Sequence, residues 1–196
     1  QVEFVSANPT GPLTVGHGRN AVIGDTLARV LEAAGYAVTR EYYYNDAGRQ
    51  MQLLGESVRG RYLQLLGRPI EWSEDYYQGD DIIEIAQSLL DECGDGLVDE
   101  PANGLFRARA QAVITASQQA ALDRLGIRFD NLFNENSLTT SGAVWEVVDK
   151  LKERGYAYDA DGAVWFKATA FGAEKDRVLV RSNGEPTYRL PDIAYH

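Results

Sequence analysis

Cysteine, methionine and histidine are scarce in this sequence, which has one cysteine, one methionine and two histidines in 196 residues. The lone Cys93 can neither close an internal disulfide nor form a multi-cysteine zinc site, so we expect a reducing, cytoplasmic setting. Apolar runs near the roughly 18 residues of a membrane-spanning helix are also absent. With 44% hydrophobic and 24% charged residues, the sequence predicts a soluble globular domain and excludes a disordered chain.

The first residues lack the features of a secretory leader. Gln1 is not an initiator methionine, and Val2-Glu3-Phe4-Val5 is typical of a strand, with no charged segment followed by an apolar one. We therefore expect no signal peptide and a numbering that begins inside a longer protein.

Basic residues are missing from one stretch of the chain. The net charge is −10, and the segment from Glu71 to Glu100 contains eleven acidic residues and no lysine or arginine. Outside this segment, 19 basic residues face 18 acidic ones, so the rest of the chain is close to neutral. We interpret the segment as a solvated, mobile acidic face, which leaves nucleic-acid binding possible elsewhere on the surface.

The first 44 residues predict a strand, a helix and a second strand. A buried strand over Val2–Ser6 enters a loop with two prolines and a glycine, and a helix follows from Gly16. A second strand is predicted over Tyr36–Tyr44, so this order favours a parallel sheet whose first loop lies at the carboxyl edge, where such folds bind ligands. The predicted buried face of the first helix comprises Ile23, Leu27, Val30, Leu31 and Ala34.

The remaining elements alternate helices and short strands. After Asn45–Gly48, a helix has apolar residues at Met51, Leu54, Val58, Tyr62 and Leu65. Further elements are predicted as helices over Ile82–Leu90, Leu105–Leu125 and Ala143–Arg154, as strands over Ile127–Phe133, Val178–Val180 and Thr187–Leu190, and as a hairpin over Tyr156–Phe166 that turns at Asp161-Gly162.

The stretch Gly11–Asn20, between the first strand and the first helix, has the composition of a phosphate-binding turn. A helix N-terminus offers unpaired N–H groups and partial positive charge, and Gly16 would let a nucleotide approach the backbone closely. His17 could donate a hydrogen bond to a phosphoryl oxygen as negative charge develops there. Taken alone, the pattern fits a turn that binds no ligand equally well.

Three separate stretches, in order along the chain, resemble the catalytic domain of the arginyl-tRNA synthetases. The first is Glu3–Pro12 with Val15-Gly16-His17 and Ile23-Gly24-Asp25, and the second is Asn45–Gln50. The third joins Asp176–Val180, Gly184–Tyr188 and Leu190–His196. The resemblance extends over most of the chain and is weakest in residues 67–103.

This resemblance implies an α/β fold of class I, a Rossmann-type parallel-sheet nucleotide-binding domain that is truncated. The sheet core would comprise residues 1–66, about 106–138 and 186–196. Helical and β-hairpin insertions would occupy about 67–105 and 139–185. The second ATP-binding signature loop and the anticodon-binding domain of the family would lie outside this chain.

The family's His-hydrophobic-Gly-His signature falls on Thr14-Val15-Gly16-His17, so threonine replaces its first histidine. Threonine can still donate one hydrogen bond, but its hydroxyl is uncharged and reaches less far. The resemblance implies catalytic roles for His17, which would stabilise the α-phosphate in the transition state, and for Thr14. The implied ATP-binding residues are Gly11, Thr14, Gly16, His17 and Asn20.

Arginine binding is implied by five further matches to the family. Glu3, Tyr188 and Asp192 would hold the arginine side chain, since a planar guanidinium pairs best with carboxylates. Asn8 would contact the α-ammonium or carboxylate end, and Glu135 is a guanidinium candidate with a looser match. Without the family, Glu3 and Asp192 would be interpreted as surface acids and Asn8 as a turn residue.

The function implied is ATP-dependent activation of arginine and its transfer to tRNA(Arg) by a cytoplasmic ligase. ATP would bind with Mg²⁺, without a cluster of protein metal ligands and without a membrane. Two alternatives remain, a noncatalytic synthetase-like module that binds arginine or tRNA and a small-molecule adenylyltransferase. We expect the isolated fragment to be inactive and prone to self-association, because an interrupted parallel sheet leaves an open edge.

Overall fold

Two three-stranded sheets organise the chain. The computed structural model describes all 196 residues, which divide into two compact units, residues 1–133 and 134–196. The first sheet has the order β1-β2-β3 and the second β4-β5-β6. No helix is both long enough and apolar enough to cross a membrane.

The first sheet begins with a parallel pair of strands. β1 (Val2–Glu3) pairs with β2 (Arg40–Tyr44), and α1 (Val15–Ala33) makes the connection between them. On the other side of β2 lies β3 (Asn131–Asn134). The predicted strand–helix–strand unit with parallel strands is therefore confirmed.

The strands of the first sheet are shorter than the sequence predicts. β1 ends at Glu3 because Val5 and Ser6 have positive φ angles of 68° and 45°, which interrupt the extended backbone. The Val5 N–H donates to Asn20 Oδ1 at 2.6 Å, and the Ser6 hydroxyl accepts from the Tyr43 N–H at 3.1 Å. These contacts hold a conformation that is costly for non-glycine residues, above all for a β-branched valine.

The predicted buried face of α1 is wrong. The helix instead buries Ala21, Gly24 and Ala28, whereas Ile23 and Val30 are about 60% exposed, at 62% and 59%. Gly24 packs so closely on Phe4 that a Cβ at this position would lie 2.2 Å from the Phe4 Cγ atom. The helix therefore approaches the chain after β1 through its small residues, and the large aliphatic side chains point away.

A helical core fills the rest of the first unit. α2 (Gly48–Leu65) packs against α3 (Asp80–Cys93) and against α4 (Arg107–Arg124). A π-helical turn over Ala102–Phe106 leads into α4. The predicted apolar face of α2 is confirmed for Met51, Leu54, Val58 and Tyr62, which are fully buried, while Leu65 is partly exposed.

The acidic segment belongs to this core. α3 is longer than predicted and buries Ile82, Ile85, Ala86 and Leu89 against α2 and α4. Most of its carboxylates are exposed on the outer side. The part of the segment that forms α3 therefore presents a solvated acidic face, as predicted, on a packed helix.

The second unit surrounds an antiparallel sheet. α5 (Asn136–Thr140) and α6 (Ala143–Glu153) precede the hairpin of β4 (Ala157–Ala160) and β5 (Ala163–Phe166), and β6 (Arg177–Val180) pairs with β5. Asp161 and Gly162 have positive φ angles, which confirms the predicted tight turn.

The strand predicted over Thr187–Leu190 is wrong. Pro186 makes a single bridge to Val180, after which Tyr188 adopts helical angles and α7 (Arg189–Tyr195) begins. The Leu190 N–H donates to the Thr187 carbonyl at 3.1 Å, so the chain closes a turn here instead of continuing along the sheet.

Candidate active site

His17 and Thr14 form a reciprocal cap at the start of α1. Thr14 has extended backbone angles, and its hydroxyl accepts from the His17 N–H at 3.4 Å. In return, the Thr14 N–H donates to the His17 Nδ1 atom at 3.0 Å. Because Nδ1 accepts this hydrogen bond, a neutral His17 ring has its own proton on Nε2. The arrangement thus makes Nε2–H the ring donor that is available to a ligand.

The capping geometry at the start of α1 suits a threonine at position 14. Its hydroxyl also lies 3.2 Å from His17 Nδ1, so both the hydroxyl and the backbone N–H of Thr14 contact His17. Threonine is among the residues that cap helix N-termini well, and histidine is not. The replacement of the family's first histidine is therefore compatible with a built site, and it gives no support to a noncatalytic module.

Asn20 connects α1 to the loop that precedes it. Its Oδ1 atom accepts from the Val5 N–H at 2.6 Å, at the point where the backbone has positive φ. The predicted ATP-binding residue thus holds the backbone through its oxygen. At Gly11, an added Cβ would meet no atom within 4 Å, and at Gly16 it would meet only the Thr14 hydroxyl at 3.4 Å. The space in front of both glycines is open.

Asn8 joins the loops that follow β1 and β2. Its Oδ1 atom accepts from the Asn45 N–H at 2.9 Å, and its Nδ2 group donates to Gln50 Oε1 at 3.0 Å. The carboxylate of Glu3 accepts from the Ser6 hydroxyl, which itself accepts from the Tyr43 N–H. Glu3 and Asn8 are therefore both fixed at the carboxyl edge of the parallel strands, as the predicted fold requires.

The sequence interpretation missed Gln118 and Tyr42, two buried side chains that hydrogen-bond the loop after β1. Gln118 is 6% exposed, and its Nε2 group donates to the carbonyls of Asn8 and Gly11. Burial raises the pKa of the Tyr42 hydroxyl, which donates to the Ala7 carbonyl. A signal for Gln118 was present, since Ile114 and Leu122 place it at the centre of a buried stripe with a spacing of four residues.

The other predicted arginine-binding residues lie in residues 134–196. Tyr188 immediately precedes α7, is 69% exposed, and has the Arg189 guanidinium 4.5 Å from its ring centre. Asp192 follows four residues later, in the first turn of the same helix. A spacing of four residues places Tyr188 and Asp192 on one side of α7. Glu135 directly precedes α5.

A groove of about 270 Å³ adjoins Asp192. Phe166, Ala168 and Leu179 provide its apolar wall, and Arg177, Arg189 and Ile193 complete the lining. Nowhere in the 196 residues do three or more histidine, cysteine, aspartate or glutamate side chains lie where they could hold a metal ion together.

The whole chain, residues 1–196, matches the family described as tRNA synthetases class I (R), catalytic domain. The chain belongs to this family. The arginine–tRNA ligase of Desulfotalea psychrophila is 57% identical over 195 residues, which cover all of this chain and 35% of that enzyme. The corresponding ligase of Salinibacter ruber is 53% identical over 211 residues, with all of this chain and 38% of that enzyme covered.

Solved structures of this family agree with the fold. A Campylobacter jejuni protein assigned as an arginyl-tRNA synthetase superposes with a TM-score of 0.90 and 36% identity, over 99% of this chain and 43% of that one. The arginyl-tRNA synthetase of Thermus thermophilus gives a TM-score of 0.68 and 28% identity, over 99% of this chain and 34% of that one. The family resemblance and the Rossmann-type α/β class are thus confirmed.

The chain spans only about a third of the length of the curated relatives that it matches. The division into a sheet core and two insertions, and the roles of the individual site residues, remain predictions.

Proposed function

We propose that this chain forms the part of an arginine–tRNA ligase that binds arginine and ATP and joins them as arginyl-adenylate. Within a cytoplasmic enzyme, the arginyl group would then pass to tRNA(Arg). The observation that carries this proposal is the match at 57% identity, over the whole chain, to a ligase of that specificity.

In the reaction, a carboxylate oxygen of arginine attacks the α-phosphorus of ATP. One P–O bond forms, the bond to the bridging oxygen breaks, and pyrophosphate leaves with the electron pair. Mg²⁺, held by the phosphates of ATP, would supply charge neutralisation for the leaving pyrophosphate. Nε2–H of His17 would donate to an α-phosphate oxygen as charge builds up there. The Thr14 N–H supports this role, because it occupies Nδ1 and so leaves the proton on Nε2.

Arginine recognition requires acceptors for a cationic fork and for its α-ammonium group. As the family matches imply, we assign roles in guanidinium binding to Glu3, Tyr188 and Asp192, with Glu135 as a further candidate. Asn8 would accept from the α-ammonium. Its Oδ1 atom is suited to this contact, because the Asn45 N–H uses only one of its two lone pairs.

A chimaera tests the proposal. Residues 1–196 would replace the matching 35% of the Desulfotalea psychrophila ligase, with the unmodified relative as the control. We expect ATP–pyrophosphate exchange that depends on arginine and not on lysine, followed by charging of tRNA(Arg). Arginine binding without exchange, in a chimaera that folds, would instead favour the noncatalytic module. Exchange that depends on another carboxylic acid would favour the adenylyltransferase.

A further inference from the structure

Gln118, in the middle of α4, donates hydrogen bonds to two carbonyls of the turn that follows β1. Its Nε2 group lies 3.0 Å from the Asn8 carbonyl and 2.8 Å from the Gly11 carbonyl. A side-chain amide has two N–H hydrogens, so these two contacts use its whole donor capacity. Gln118 is one of four buried polar or charged residues in the chain. Burial of such a group is tolerated only when it is hydrogen-bonded.

Tyr42 extends this arrangement to a third carbonyl. Its hydroxyl donates to the Ala7 oxygen at 2.8 Å and lies 3.4 Å from Gln118 Oε1. Both side chains are more than nine-tenths buried, and Thr10 closes the turn by donating its N–H to the Asn8 carbonyl at 2.8 Å. Three carbonyls of one short segment are thus bonded by two side chains, one from β2 and one from α4.

The same face of α4 also contacts the loop after β2. Gln111, two helical turns before Gln118, donates to Asp46 Oδ2 at 3.0 Å. Asn8 in turn accepts from the Asn45 N–H, so the two loops are bonded to each other as well as to α4. The helix face therefore fixes both loops at the carboxyl ends of the parallel strands.

We propose that Gln118 is a positioning residue, which with Tyr42 sets the conformation of the turn from Ala7 to Gly11. This inference rests on the proposed function, in which Asn8 contacts arginine and Gly11 contacts ATP. One turn then holds a residue for each substrate, and Gln118 bonds the carbonyls of these two residues. Without its amide, the Asn8 carbonyl would keep only the Thr10 N–H and the Gly11 carbonyl would lose its bond to Gln118, so the turn would shift toward water. A shifted turn would weaken the contacts of Asn8 with arginine and of Gly11 with ATP, which raises the KM of each substrate.

Kinetics of the chimaera test the proposal. Gln118→Met removes both donors while keeping the length of the side chain, and we expect it to raise the KM for arginine and the KM for ATP about tenfold each. Tyr42→Phe should raise both values less, about threefold, because one carbonyl loses its donor. Gln119→Met is the matched control, since the exposed Gln119 amide bonds only Asp123 on its own helix, and both KM values should stay unchanged.

Hydrogen exchange in the 196-residue chain gives a second measurement that needs no activity. We expect Gln118→Met to speed exchange of the Thr10 amide about tenfold, while amides in the centres of α2 and α4 keep their protection. Unchanged Thr10 exchange would overturn the proposal, as would a lower apparent kcat with both KM values unchanged, which is the signature of lost folded protein. If the unsubstituted chimaera is inactive, the proposed function fails, and the Thr10 exchange alone decides the role of Gln118.

Discussion

The helices α1 and α2 are nearly equal in length, at 19 and 18 residues, and each begins after a strand of the same sheet. They are attached to the protein in opposite ways. α2 buries large side chains against α3 and α4, whereas α1 buries only alanines and a glycine and leaves its large aliphatic residues exposed. α1 has a side-chain cap at its N-terminus, and α2 has none. We infer that the removal of atoms destabilises α2 more than α1, because α1 has no large buried side chain to lose. Added atoms should destabilise α1 at Gly24, and α2 likewise at Gly55, where a Cβ would lie 2.3 Å from the Ala102 carbonyl oxygen.

The largest effect on stability is expected from Leu54→Ala in α2. Leu54 is fully buried, so its truncation leaves a cavity and should lower the free energy of unfolding by about 2–5 kcal/mol. Ile23→Ala in α1 is the matched control, and it should cost less than about 1 kcal/mol because Ile23 is 62% exposed. Chemical unfolding of the 196-residue chain measures both. Equal losses for the two variants would break the comparison.

In α1, destabilisation is expected from an added methyl group at its closest contact. Gly24→Ala places a Cβ 2.2 Å from Phe4 Cγ, so the helix or the ring must move, at a cost of about 1–3 kcal/mol. Gly16→Ala, in the first turn of the same helix, is the control for the intrinsic preference of alanine for helices, since an added Cβ there meets only the Thr14 hydroxyl at 3.4 Å. If the Gly24→Ala variant is as stable as the parent in unfolding experiments, α1 does not depend on close packing at this point.

The cap of α1 should contribute about 1 kcal/mol, as N-caps commonly do. Thr14→Val keeps the shape of the side chain and removes the hydroxyl, so we expect it to lower the free energy of unfolding by that amount, while Thr14→Ser should retain most of it. Nitrogen NMR of the imidazole rings provides the functional measurement, because the chain has only two histidines, His17 and His196. In neutral His17 the proton should be on Nε2, and a proton on Nδ1 would contradict the capping geometry.

These differences explain how much of the molecule was predictable. The apolar spacing in α2 and the Asp161-Gly162 turn are local signals, and both were predicted correctly. The contiguous pattern of the first residues likewise predicted that Asn8 lies in the loop after the first strand and His17 at the start of the following helix, as the structure has them. The buried face of α1 was not predictable from hydrophobic periodicity, because a helix that packs through small residues gives its strongest apolar signal on the exposed side.

Other features depend on partners that are distant in sequence. The end of β1 at Glu3 follows from bonds that Asn20 and Tyr43 make to Val5 and Ser6. The bond from the Gln118 amide to the Asn8 carbonyl likewise joins two residues that are 110 positions apart in the sequence. No local propensity encodes such contacts, so they become visible only when the chain is folded.

The smallest effect concerns pH and the polar attachment of α1. The Arg40 guanidinium donates to both carboxylate oxygens of Glu32, at 2.6 and 2.9 Å, and so lowers the pKa of that carboxyl below its ordinary value of 4.5. Because the pKa is lower in the folded state, the stabilisation is fully present above pH 4.5 and is lost as the pH falls through the lowered value. We expect Glu32→Gln to be less stable than the parent at pH 7, and the difference should shrink as the pH falls through the lowered pKa of Glu32 and its carboxylate becomes protonated. Glu84→Gln on α3 is the control, because this exposed carboxylate has no ion pair to lose, and the variant should be as stable as the parent at pH 7. The free energy of unfolding as a function of pH measures all three proteins, and a constant difference between Glu32→Gln and the parent would show that the ion pair does not attach α1 to β2.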